Sequence, residues 1–284
     1  MKRTRPSEIK ALLADRDILP SRVLGQNFLI DHNILEIILD SAHLAAEDTV
    51  LEIGPGLGVL TEHLVKRAER VIAIEKDPRL AAYLREAFAD RPNLTLIEGD
   101  ALAQDLPGLL SDEAISHVVS NLPYSSGTRM LIEMIHADAR PLRLVVMLQL
   151  DVAERLTAAP GSKAYGLVSI LAQTYYDIVI RKSVSATCFY PPPDVRSALV
   201  EFFRLPQARV ALHNQAHWQA LTKWCFSQRR KQMHTILQRA PETVISQTES
   251  VDQALRDIGI APDQRPESIP VEKWGELSNR LCSD

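Results

Sequence analysis

The sequence predicts an α/β protein: a parallel sheet covered by helices on both faces, followed by a small all-α domain. Three observations carry this. Short apolar and β-branched runs alternate with helical stretches up to about residue 207, as βαβ units require. A glycine-rich turn joins the first strong strand signal to the stretch after it. Beyond residue 207 only helical patterns remain, separated by Pro241, Pro262, Pro266 and Pro270. The expected domains are therefore 1–207 and 208–284.

Taken in order, a first helix is expected over 7–16. Strands are expected over 49–53, 71–74, 94–97, 115–120 and 142–148, each a short apolar run. Helices fall between them over 58–67, 77–88 and 129–136, with another over 151–158. Two more strand signals, 178–185 and 197–203, lie close together across a proline-rich loop and suit an antiparallel pair at the sheet edge. The C-terminal helices are expected over 215–227, 230–238, 251–258 and 271–281.

With 284 residues, 46% of them hydrophobic, the chain can bury a full core and is not of the disordered class. No apolar run approaches bilayer length. The basic start, Met1-Lys2-Arg3-Thr4-Arg5-Pro6, leads into Ser7-Glu8-Ile9-Lys10 rather than a signal core, so a cytoplasmic protein is expected. Cys188, Cys225 and Cys282 are odd in number and far apart, which argues against a disulfide framework or a zinc site. His213 and His217 lack an HExxH pattern, so no metal is assigned. No association motif is evident, and a monomer is expected.

A net charge of −4 does not favour a nucleic-acid partner, but its distribution does more than its sum. Residues 217–241 hold five basic side chains, Lys223, Arg229, Arg230, Lys231 and Arg239, and no acidic one. The run Arg229-Arg230-Lys231 reads either as a solvated helix face or as a phosphate contact.

The strand ends carry the chemistry. Glu52-Ile53-Gly54-Pro55-Gly56-Leu57-Gly58 allows a tight turn and close backbone approach to a ligand. Glu75 ends the next strand, 21 residues after Gly54, where an acid can hydrogen-bond both ribose hydroxyls. The loop is GxGxG rather than the GxGxxG of dinucleotide enzymes, and Val59 stands where the third dinucleotide glycine would be. S-adenosylmethionine, which has no pyrophosphate, needs no such phosphate cradle. Asp100, after the third strand, can accept an adenine amino group or serve as a plain turn residue. Asn121-Leu122-Pro123-Tyr124 follows the fourth strand. An amide, a proline and a ring there can hold a flat, amino-bearing base: the amide oxygen and a backbone carbonyl accept from an exocyclic NH2, and the ring stacks. Ligands of open α/β sheets bind outside the carboxyl ends of strands, so Gly54, Glu75, Asp100 and Asn121 point to one crevice.

In this order and spacing the chain resembles the KsgA/RsmA family, the small-subunit ribosomal RNA adenine N6,N6-dimethyltransferases. Leu24-Gly25-Gln26-Asn27-Phe28-Leu29 is similar to the family's GQNFL segment, which implies that Asn27 and Leu29 touch the cofactor. The glycine loop with Gly54 and Gly56, the acids Glu75 and Asp100 with Ala101 beside it, and the Asn121 motif all match. Phe189-Tyr190-Pro191-Pro192-Pro193-Asp194-Val195-Arg196-Ser197 is similar to its FxPPPxVxS loop, and Arg229-Arg230-Lys231 to a basic run in its helical RNA-binding domain.

The resemblance implies a Rossmann-like class I S-adenosylmethionine-dependent methyltransferase. It would dimethylate two adjacent adenosines near the 3′ end of 16S rRNA during small-subunit biogenesis. Asn121 and Leu122 would then orient adenosine N6, Pro123 fix the backbone, Tyr124 stack on the base and Phe189 press on it. Four departures stand out: Ser125-Ser126-Gly127 where the family usually has Asn-Ile-Ser/Thr, and Leu150, Leu167 and Asp194 where it is often basic. Two other readings share these residues. One is an Erm-like 23S rRNA adenine methyltransferase; the other is a non-catalytic ribosome-assembly or transcription factor on the same fold. A nicotinamide-dependent oxidoreductase is disfavoured by Val59.

Overall fold

A computed structural model describes residues 6–21, 25–245 and 250–282. The basic residues Met1 to Arg5 and Leu24 of the GQNFL-like segment lie outside these. The chain forms two compact units, Met1–Ala153 with Ile178–Arg204, and Glu154–Asp177 with Leu205–Asp284. A single cut at 207 does not describe this division, because residues 154–177 group with the C-terminal helices. Within that second unit the Tyr165 hydroxyl donates to the Ile269 carbonyl at 2.9 Å, and the Gly161 N–H donates to the Glu267 carbonyl at 2.6 Å.

The strands are β1 (Phe28–Leu29), β2 (Thr49–Ile53), β3 (Arg70–Glu75), β4 (Leu94–Glu98), β5 (His117–Asn121), β6 (Arg143–Gln149), β7 (Tyr176–Val184), β8 (Phe189–Tyr190) and β9 (Ser197–Arg204). Seven form one sheet in the order β4-β3-β2-β5-β6-β9-β7. From β4 to β6 the neighbours are parallel, and β9 runs antiparallel to β6. The chain steps outward from β2 on one side through β3 and β4, and on the other through β5. That reversal opens a crevice at the carboxyl ends of the central strands.

The expected strands all form. The expected helix over 58–67 shortens to Thr61–Leu64. A helix that the strand–helix alternation did not reveal spans His32–Ala42. Its signal is in the sequence: Asp31 caps the Ile34 N–H at 3.0 Å, and Ile34, Leu35, Ile38, Leu39 and Ala42 fall on one buried face. β1 and β8 form a separate two-stranded antiparallel ribbon. Helical second-unit residues pack around Trp218 and Trp274, both fully buried. No described helix is long and apolar enough to cross a membrane.

Every residue of β2 is buried, Glu52 included at 2% exposure. Burial pushes its carboxyl up to about 8; the Thr61 hydroxyl, donating to Glu52 Oε2 at 2.7 Å, opposes this, and Glu75 adds to it. The folded protein therefore keeps a proton that the unfolded chain releases near 4.5. Stability should fall as pH rises between those values, by at most about 1.4 kcal/mol per pH unit for one proton. Glu52→Gln is expected to flatten that slope in urea unfolding compared at pH 5 and pH 8. An unchanged slope in the variant would assign the pH dependence to other groups.

Candidate active site

A cavity of about 200 Å³ lies at the carboxyl ends of β2, β3, β4 and β5 within the first unit. Its lining includes Gly54, Glu75, Asp100 and Asn121, the four strand-end residues expected to meet there. Asn27, Leu29, Gly56, Ala101, Leu122, Pro123 and Tyr124 line it as well.

The glycine loop is built for close approach. Gly54, Gly56 and Gly58 have φ of 68°, 58° and 72°, a region that favours glycine. A Cβ at Gly54 would meet nothing within 4 Å, because the cavity opens there. At Gly58 it would fall 2.6 Å from the Phe88 ring, so that glycine serves packing rather than a ligand. The Gly56 N–H donates to Glu75 Oε2 at 3.0 Å, and the Asp77 N–H to Glu75 Oε1 at 2.9 Å. Burial raises the Glu75 carboxyl above the usual range, and these two N–H groups oppose that shift. Each oxygen is thus fixed by one backbone donor and keeps acceptor capacity for a hydroxyl pair.

Asp100 caps the 3₁₀ turn Ala101–Ala103 through the Leu102 N–H at 3.0 Å. Lys76 Nζ donates to its Oδ2 at 2.7 Å and holds the carboxyl below its usual range. Asp100 is therefore an anionic acceptor at the cavity wall.

Asn121 is oriented by a single hydrogen bond. Its Nδ2 donates to the Asn27 carbonyl at 2.9 Å. A carbonyl only accepts, so the amide nitrogen must face it and Oδ1 must face the other way. That oxygen is buried and has no hydrogen-bond partner among the described residues, and Asn121 lines the cavity. An unmet buried acceptor costs about 1–3 kcal/mol, which a ligand N–H would recover. Tyr124 stands beside it, with its hydroxyl bonded to Ser197 Oγ. Gly127 does not loosen the following turn. Its N–H donates to the Pro123 carbonyl at 2.7 Å, and a Cβ there would press on Leu122 at 2.9 Å.

Phe189 is not brought to this cavity. It is 2% exposed, pairs with Leu29 across the β1–β8 ribbon and belongs to the hydrophobic core. Its neighbour Cys188 has Sγ 3.6 Å from Asp31 Oδ2, and burial together with that carboxylate raises the thiol. It is held as a thiol rather than as a nucleophilic thiolate.

Arg229, Arg230 and Lys231 lie in the second unit, in the turn after the helix Gln215–Ser227 rather than on a helix face. Arg229 is tethered to Glu267 at 3.7 Å and to the Lys163 carbonyl at 3.4 Å. Lys231 donates to Gln228 Oε1 at 2.9 Å. Arg230 is exposed and makes no ion pair among the described residues.

Two positioning residues escaped the sequence reading. Gln26 Nε2 donates to Asp77 Oδ2 at 3.2 Å, while its Oε1 accepts the Ser21 N–H at 2.7 Å. Asp77 is 2% exposed, accepts also from Arg79, and its backbone fixes Glu75. Gln26 thereby ties the segment carrying Asn27 to the turn carrying Glu75. The acidic residue two places after a strand-end glutamate was the available signal.

Comparison with known proteins follows the same residues. The family model for ribosomal RNA adenine dimethylase matches residues 21–282. The ribosomal RNA small subunit methyltransferase A of Geobacter metallireducens is 38% identical over 266 residues, covering 92% of this chain and 95% of that protein. The protein of that name from Bacillus mycoides is 35% identical over 280 residues, covering 97% and 96%. A dimethyladenosine transferase structure from Plasmodium falciparum has a TM-score of 0.76 at 24% identity, covering 88% of this chain and 95% of that one. The 23S rRNA methyltransferase ErmE gives 0.66 at 24% identity, covering 90% and 99%, and shares the fold. The match over nearly the whole chain places this protein in the ribosomal RNA adenine dimethylase family, enzymes on a class I methyltransferase fold.

Proposed function

We propose that this enzyme transfers methyl groups from S-adenosylmethionine to N6 of two adjacent adenosines near the 3′ end of 16S rRNA, in the small ribosomal subunit or its precursor. The observation that carries the reading is Asn121 Oδ1, a buried acceptor that has no partner among the described residues and belongs to a residue of the cavity wall.

The residues fit the cofactor. Glu75 would accept the ribose hydroxyls and Asp100 the adenine amino group, with Asn27, Leu29 and Ala101 closing the walls and the open space over Gly54 receiving the remainder. When bound, S-adenosylmethionine supplies an electrophilic methyl on a positively charged sulfur.

The N6 lone pair of adenosine is conjugated with the purine ring and is a poor nucleophile. Asn121 Oδ1 and the Leu122 carbonyl would accept the two N6 hydrogens and favour a pyramidal nitrogen. Pro123 holds that carbonyl in place by its fixed φ. Tyr124 would stack on the extruded base, worth about 1–3 kcal/mol. The nitrogen held by Asn121 Oδ1 and the Leu122 carbonyl would take the methyl, the S–C electron pair staying on sulfur as the methyl leaves, and would give its proton to water. No strong base is needed, so positioning supplies most of the acceleration. Phe189 enters this scheme only as the core support of the β1–β8 ribbon that carries Leu29. Arg230 and Lys231 would contact phosphates without reading sequence.

The direct test incubates the protein with labelled S-adenosylmethionine and unmodified small subunits, with large subunits alongside, and maps the methylated base. Adjacent dimethyladenosines in 16S rRNA are expected; label confined to large-subunit RNA would overturn the assignment. Asn121→Ala should lower kcat by about 100-fold or more, by analogy with loss of one preorganised transition-state contact. Calorimetry should show S-adenosylhomocysteine affinity changed only a few fold; equal losses in both would contradict the role of Oδ1. Arg230→Ala should reduce the salt dependence of subunit binding by about one unit of log–log slope. Arg229→Ala, already tethered to Glu267, should change it less.

A further inference from the structure

Tyr124 carries one group that base stacking does not use. Its hydroxyl is bonded to Ser197 Oγ, and Ser197 is fully buried. Ser197 opens β9 and pairs with Gln149 at the carboxyl end of β6. The residue before it is also held: the Arg196 carbonyl accepts the Leu150 N–H at 2.9 Å. The serine oxygen is thus placed by the sheet ladder, not by the proline-rich loop before it. On the other side, the Pro123 carbonyl holds the Gly127 N–H, so the backbone before the ring is fixed as well.

Those restraints leave the ring's own torsions. The hydroxyl oxygen lies at the end of the ring's long axis, so anchoring it on Ser197 fixes χ1 and the direction of that axis among the staggered rotamers. Burial raises the Tyr124 phenol, which keeps its proton available for the bond. Two separate segments, the turn after β5 and the start of β9, therefore meet in one hydroxyl pair at the far edge of the ring.

We propose that Ser197 is a positioning residue for methyl transfer: its hydroxyl fixes the direction in which the Tyr124 ring extends, and through it where the stacked adenine sits relative to Asn121 Oδ1. This rests on the reading of Tyr124 as the stacking platform. Ser197 is not among the residues that line the cavity. Its effect is geometric, and small misplacements of a reacting group are costly to turnover.

The test uses the full chain with unmodified small subunits. Ser197→Ala removes the bond from one side and Tyr124→Phe from the other, leaving β9 and the stacking face intact. Each should lower kcat about three- to tenfold, the range of one net hydrogen bond, with S-adenosylhomocysteine affinity unchanged by calorimetry. The double variant should be no worse than either single, because both remove the same bond. Unchanged kcat in the single variants, or losses that multiply in the double, would overturn the proposal. Tyr124→Ala separates the two readings. If it keeps full kcat, the stacking reading itself fails; if it loses activity while Ser197→Ala and Tyr124→Phe do not, only the role of Ser197 fails.

Discussion

The hydrogen bond from Asn121 Nδ2 to the Asn27 carbonyl is the constraint on which the site depends. It decides which end of the amide faces the cavity, and so which chemistry the cavity offers. Turned the other way, the amide would present donors to an amino group and repel it. The bond exists only because the segment preceding β1 is held against the sheet. Gln26 does this through Asp77, and the β1–β8 ribbon continues it with Phe189 beneath. A stretch far upstream in sequence thus fixes the polarity of a side chain on the fourth parallel strand.

The fold supplies the setting and bears its electrostatic penalty. Parallel strands buried on both faces end together, so side chains at those ends converge without any long loop. Two carboxyls, Glu52 and Glu75, are carried into that buried zone. Both are raised by burial, but they are treated differently: Glu52 has the Thr61 hydroxyl and a pull toward its neutral form, while Glu75 has two backbone donors. The difference suits one to structure and the other to a hydroxyl-bearing ligand.

Much of this was legible because strands in a parallel sheet read as short apolar runs and their ends as punctuation. Gly54, Glu75, Asp100 and Asn121 could be placed at one crevice from spacing alone. What was hidden depends on partners distant in sequence. Nothing local marks Phe189 as core rather than cavity wall; its burial follows from pairing with Leu29. Gly127 departs from the family's usual residue, and the reason is close by: a Cβ there would press on Leu122. The grouping of residues 154–177 with the C-terminal helices rests on contacts such as Tyr165 to Ile269. Arg229 looked equal to its basic neighbours until Glu267 was seen beside it.

The most direct measurement is a structure of the enzyme with S-adenosylhomocysteine and an oligonucleotide carrying the target adenosines. The expected result is adenosine N6 at about 2.7–3.2 Å from Asn121 Oδ1, with Nδ2 still on the Asn27 carbonyl and the base stacked on Tyr124. An adenine seated in the cavity with its N6 away from Oδ1, or an Asn121 amide turned off Asn27, would contradict the account.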